Sequence, residues 1–163
     1  MKGGLPMVPA WIGIAIVATA VAIALNRLPQ QDSQWFFRLR RPPWLTFEGA
    51  IPFIWIFILI CGIISASFTW ADTAHWIWRW CLMAGYLGLE VAVMAYTPVM
   101  CKLRSLTWGT LIGGGGFLWG CILASQVVGQ SPRAVLLLLP YLLWSPVGTF
   151  VTWQMIPLNP GKA

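Results

Sequence analysis

Glu90 is the residue whose chemistry and surroundings conflict most in this chain. It is the only acid deep within a long apolar stretch, and at helical spacing it shares a face with Tyr86, Val93 and Thr97. An ionisable group in such a stretch is costly and turns toward a partner in the protein interior. Three roles fit: a hydrogen bond to a ligand, a proton-transfer step, or a protonated carboxyl bonded to a neighbouring helix, for instance through Tyr86. The last apolar stretch carries Tyr141, Trp144, Gly148, Thr152 and Met155 on one stripe. Such a stripe suits the wall of a flat apolar cavity or an ordinary seam between helices. Trp55, Trp119, Trp144 and Trp153 also lie away from the ends of their stretches, and a buried indole N–H needs an acceptor.

Other catalytic chemistry is missing. The acids are Asp32, Glu48, Asp72 and Glu90, the one histidine is His75, and no Ser-His-Asp set or carboxylate pair emerges. Cys61, Cys81, Cys101 and Cys121 fall at twenty-residue intervals, which no metal motif uses. They read as small apolar packing residues, and His75 reads as an interfacial side chain.

The elements that must position these residues are membrane helices. The chain has 59% hydrophobic and 9% charged residues, with a mean hydropathy of +0.77. Crossing a bilayer core of roughly 30 Å takes about 20 apolar residues. Five stretches qualify, at about 7–28, 51–70, 76–100, 106–128 and 134–156, which predicts an all-α integral membrane protein with five transmembrane helices in a single domain, 1–163. The first stretch exceeds the length of a secretory h-region and is expected to be retained.

Lys and Arg bias predicts topology. Arg38, Arg40, Arg41, Lys102, Arg104 and Lys162, with Arg27 nearby, fall on one side, against Lys2, Arg79 and Arg133 on the other. The expectation is N-terminus out and C-terminus cytoplasmic. The net charge of +6 then answers to membrane lipid headgroups, and nucleic acid is not an expected partner. Trp11, Trp35, Trp44, Trp70, Trp76, Trp78, Trp80 and Trp108 stand near stretch ends, as an interfacial belt requires. In the fourth stretch, Gly113-Gly114-Gly115-Gly116 is flanked by Gly109 and Gly120. The pairs Gly109/Gly113 and Gly116/Gly120 let backbones approach, within the bundle or across a homodimer.

Between the first two stretches, residues 35–55 read WFFRLRRPPWLTFEGAIPFIW, a stiff cationic segment expected to cap one end of the bundle over a pocket (loop 29–50). Trp35-Phe36, Leu39, Arg41-Pro42, Trp44 and Trp55 there, Tyr86 and Tyr96-Thr97-Pro98 in the third stretch, and Pro140-Tyr141-x-x-Trp144 with Leu158-Asn159 in the last resemble, in order and spacing, the TspO/MBR family of tryptophan-rich sensory proteins, related to the mitochondrial translocator protein or peripheral benzodiazepine receptor. The resemblance covers nearly the whole chain. Two departures stand out: Thr46-Phe47 replaces the family's Pro-Pro, and Leu89 and Val93 replace its polar Gln and Asn, with Glu90 adjacent.

The resemblance implies a five-helix bundle, often homodimeric, that binds a porphyrin, haem or other tetrapyrrole, or a similar small apolar planar ligand, with a regulatory, sensory or transport role and no obligatory cofactor. It implies ligand contacts at Trp35, Arg41, Trp44, Trp55, Tyr86, Tyr141 and Trp144; Glu90, beside the replaced Gln and Asn positions, is expected to join them as the acid deep in its stretch. Trp55 and Trp144 would flank the ring, and Arg38, Arg40 or Arg41 would pair with propionates. Two other expectations remain open: a non-catalytic subunit or assembly factor of a larger membrane complex, and light-dependent porphyrin degradation at Trp55 and Trp144.

Overall fold

A computed structural model describes residues 9–25 and 29–162. All regular structure among them is helical: α1 (Ala10–Leu25), α2 (Gln30–Phe37), α3 (Ile51–Asp72), α4 (Trp76–Leu103), α5 (Leu106–Val127) and α6 (Pro132–Leu158), with a 3₁₀ turn at Glu48–Ala50. Starts and stops follow local chemistry. His75 caps α4 by accepting the Trp78 N–H (3.4 Å), and Ser105 caps α5 by accepting the Trp108 N–H (3.4 Å). A proline in the first turn opens α3 and α6, where its missing N–H costs nothing.

Four helices, α3 to α6, are long and apolar enough to cross a membrane. The 16 residues of α1 rise about 24 Å. The ends of the expected first stretch, about 7–28, lie outside the described residues, as do Lys2 and Arg27. Polarity is arranged as lipid demands. Ile16, Phe53, Phe57, Leu118, Ile122, Leu136 and Leu143 face outward, while Ser65, Thr69, Ser145 and Thr152 are buried.

Those buried hydroxyls fasten the bundle. Ser65 donates to the Ala134 carbonyl (2.7 Å), which leaves its oxygen to accept from the Tyr86 hydroxyl (2.7 Å); Thr69 pairs with the same hydroxyl at 3.0 Å. One tyrosine thus joins α3, α4 and the start of α6. Nearer the other end, Tyr96 of α4 bonds to Thr152 of α6. At the α3–α6 corner, Arg133 binds Asp72 in a fork (2.6 and 3.0 Å), and Ser131 donates to the same carboxylate (2.6 Å).

The glycines of α5 face inward. A Cβ at Gly109 would meet Met100 at 2.6 Å, at Gly113 Thr149 at 2.6 Å, at Gly116 the Tyr141 hydroxyl at 3.1 Å, and at Gly120 the Tyr141 ring at 2.5 Å. The stripe therefore seats α4 and α6 within one chain, and Gly114 and Gly115 look away into open space. Gly120→Ala is expected to lower stability by about 1–3 kcal/mol through overpacking, whereas Gly115→Ala is expected to be neutral or to add up to about 1 kcal/mol from helix propensity. Thermal unfolding in detergent compares the two directly.

Candidate ligand cavity and the first-loop clamp

Space opens where α1 meets α3 and α4. A cavity of about 570 Å³ runs between them and reaches Leu137 and Tyr141 of α6. The size lies in the range of small-molecule sites. It arises from small residues at facing positions: Ala10, Gly13 and Ala18 on α1, Gly62 and Ala66 on α3, and Ala84 on α4. A Cβ at Gly13 or Gly62 would meet nothing within 4 Å. Trp55 lies at one end of the α3 wall, and Trp70 and Trp80, packed edge to face at 5.0 Å, mark the other. Fifteen helical residues separate Trp55 from Trp70, a rise of about 22 Å.

The lining is mostly apolar; its hydroxyl and carboxyl groups are those of Tyr86 and Glu90 on α4 and of Tyr141 on α6, the last accepting from Ser145 (3.4 Å). The Tyr86 hydroxyl is engaged by Ser65 and Thr69, so it does not serve Glu90. Glu90 lines the cavity, and its buried Oε1 has no hydrogen-bond partner among the described residues. An unsatisfied buried carboxyl oxygen costs on the order of 1–3 kcal/mol or more, so it marks where a ligand donor would be rewarded. Leu89 and Val93 line the same cavity.

Of the eight residues expected at a ligand site, the structure brings together Trp55, Tyr86, Glu90 and Tyr141. Trp35, Arg41 and Trp44 lie elsewhere, because the first loop folds against α6 and α4 and none of its described residues lines the cavity, and Trp144 of α6 packs on the core beside it without joining the lining. Arg41 is the loop's internal strut: it donates to the Phe36 carbonyl (2.9 Å), the Leu39 carbonyl (2.7 Å) and Glu48 (3.0 Å), and lies over the Phe36 ring. Trp44 donates to Gln154 of α6 (2.6 Å) and stacks obliquely on Phe150. Trp144 packs on Phe47 at 6.3 Å, so the residue standing in the expected Pro-Pro position joins an aromatic patch between loop and helix. Trp35 is buried with Leu39 against Met100, Cys101, Leu106 and Met155.

Sequence reasoning missed the small residues that make the cavity, and read Trp70 and Trp80 as interfacial. Their signal was present as spacing. Positions 55, 58/59, 62/63, 66 and 70 of α3 form one helical face, as do 80, 83/84, 87, 90 and 94 of α4.

The loop is clamped to the end of α6 by Asn159. Its Oδ1 accepts the Arg40 N–H (2.8 Å), and its Nδ2 donates to the carbonyls of Arg40 (3.0 Å) and Met155 (2.8 Å). The family model for TspO/MBR matches residues 11–158, which runs from within α1 to the last residue of α6. The chain belongs to the TspO/MBR family. It is similar to an uncharacterized membrane protein of Bacillus subtilis (strain 168), YtaB, with 26% identity over 160 residues, covering 91% of this chain and 95% of that protein. The TspO/MBR resemblance read from the first loop and from Leu158-Asn159 thus involves two segments that touch.

Asn159→Ala removes all three bonds and is expected to cost about 1–3 kcal/mol. It should also speed tryptic cleavage after Arg38 and Arg40 relative to wild type, read by limited proteolysis in detergent.

Proposed function

We propose that this TspO/MBR protein binds a small apolar, planar ligand of the tetrapyrrole class in the cavity between α1, α3 and α4, and acts through that ligand as a membrane sensor or carrier. The observation that carries the reading is a preformed apolar cavity with an aromatic wall and a single unsatisfied carboxyl oxygen, at Glu90. Trp55 supplies a face for a π-system, Tyr141 a second aromatic edge, and Glu90 an acceptor for a ring N–H or other donor. With Leu89 and Val93 apolar, Glu90 carries the polar recognition, so a donor-bearing ligand is preferred over one that presents a carboxylate there.

In this reading α1 is the fifth span and forms the movable wall, since Ala18 is its only buried residue among those described. Among the described residues, Arg38, Arg40, Arg104 and Lys162 gather at the first-loop end without an ion-pair partner, whereas the other end holds Arg79, bonded to the Thr73 carbonyl, and Arg133, tied to Asp72. This supports a cytoplasmic C-terminus.

Titration of the purified protein with a porphyrin is expected to quench tryptophan fluorescence saturably. Gly62→Leu, which fills the cavity without a clash in the backbone of its neighbours, should weaken binding at least about tenfold while keeping the unfolding temperature near wild type. Trp55→Phe should reduce the quenching amplitude. Glu90→Leu should bind a donor-bearing ligand more weakly and unfold at higher temperature, because it removes an unpaired buried polar group. Unchanged quenching in Gly62→Leu contradicts the assignment.

A further inference from the structure

A second concavity, of about 600 Å³, lies at the end of the bundle where the first loop, the α4–α5 turn and the C-terminal segment meet. Its lining shares no residue with the apolar cavity. Four cations border it from three separate segments: Arg38 and Arg40 from the first loop, Arg104 from the turn, and Lys162 from the C-terminal segment. Among the described residues no acid lines it, and none forms an ion pair with any of the four. Arg41 and Arg133, by contrast, are both paired.

The backbone beneath these cations is fixed. Asn159 holds Arg40 by its N–H and its carbonyl, and the Leu106 N–H donates to the Lys162 carbonyl at 2.8 Å. Arg104 occupies the left-handed region, with φ of 51°, and is the one non-glycine residue to do so among the described residues. Its N–H bonds to the Cys101 carbonyl and the Ser105 N–H to the Met100 carbonyl, the helix-ending motif in which glycine is the usual residue. An arginine there carries a conformational cost that glycine avoids, and in return places a guanidinium at the rim of the pocket. Like charges held together on a rigid frame repel one another, and a multivalent oxyanion relieves that repulsion with charge-assisted hydrogen bonds.

We propose that this pocket is a binding site for a phosphate-class polyanion, with Arg38, Arg40, Arg104 and Lys162 as its ligands' counter-charges. The shared chemistry is a phosphate group bearing two or more negative charges per ligand or cluster, presented either by anionic lipid headgroups or by a soluble phosphate compound. The site stands independently of the apolar cavity and of what fills it.

The full chain in phosphatidylcholine nanodiscs is titrated with inorganic pyrophosphate, followed by calorimetry. Saturable binding is expected, weakened at least about tenfold in Arg104→Gly and again in Arg104→Gly/Lys162→Gln. Arg104→Gly suits the left-handed turn, so its unfolding temperature should equal or exceed that of wild type, which separates lost binding from lost folding. Lys102→Gln, a neighbouring exposed cation outside the pocket, should bind like wild type. In nanodiscs containing phosphatidylglycerol, competition that shifts the pyrophosphate affinity identifies a headgroup as an occupant, and unaltered affinity identifies a soluble one; either outcome supports the site. Absence of pyrophosphate binding in phosphatidylcholine together with no selective retention of phosphatidylglycerol by wild type over Arg104→Gly/Lys162→Gln overturns it. Equal weakening by Lys102→Gln also overturns it.

Discussion

The hydroxyl of Tyr86 is the constraint around which this bundle is arranged. Where lipid surrounds a protein, apolar contacts between helices gain little over contacts with acyl chains, so packing detail and hydrogen bonds decide which helices associate. Ser65, Thr69 and Tyr86, with the Ala134 carbonyl, form a connected set at the junction of α3, α4 and α6. The α5 glycines then let that helix settle against Met100, Thr149 and Tyr141. Every described hydrogen bond between membrane helices lies within the group α3 to α6, and α1 joins through apolar contact alone. Small residues along its interface leave the cavity open.

The same arrangement separates two features that the first loop was expected to bring together, a ligand pocket and a cluster of arginines. Its arginines and tryptophans suggested a lid over a ligand. In the structure Arg41 folds the loop onto itself, Trp44 bonds to α6, and Asn159 at the end of α6 holds the Arg40 backbone, while the Trp35 indole N–H is buried without a partner among the described residues. The cationic side chains left over, Arg38 and Arg40, face a different concavity from the one Trp55 lines. The apolar cavity and the cation-lined concavity therefore occupy different parts of the molecule.

Much of this was legible in the sequence, and the reasons differ by feature. The four helices long and apolar enough to cross a membrane, α3 to α6, followed from hydropathy, because about 20 consecutive apolar residues have few other solutions. The inward glycine stripe followed from i, i+4 spacing, although spacing alone could not choose between a neighbour in the chain and a second copy. Tyr86, Glu90 and Tyr141 were found because polar groups in apolar stretches stand out. The short helix α2 inside the first loop was not read, since eight residues with one apolar side carry little periodic signal. The cavity was invisible for a more general reason: it is made by what Gly13, Gly62, Ala66 and Ala84 lack, and absence of volume on one helix has meaning only once the facing helix is known.

The central claim is that the ligand lies between α1 and the α3–α4 pair. Photo-crosslinking with a diazirine-tagged porphyrin, followed by peptide mapping, tests it most directly. The account predicts label within 10–18, 55–70 and 80–94, and its loss when unlabelled porphyrin competes. Competed label concentrated instead on Trp44, Phe47, Phe150 and Trp153, the aromatic patch between the first loop and α6, would contradict it.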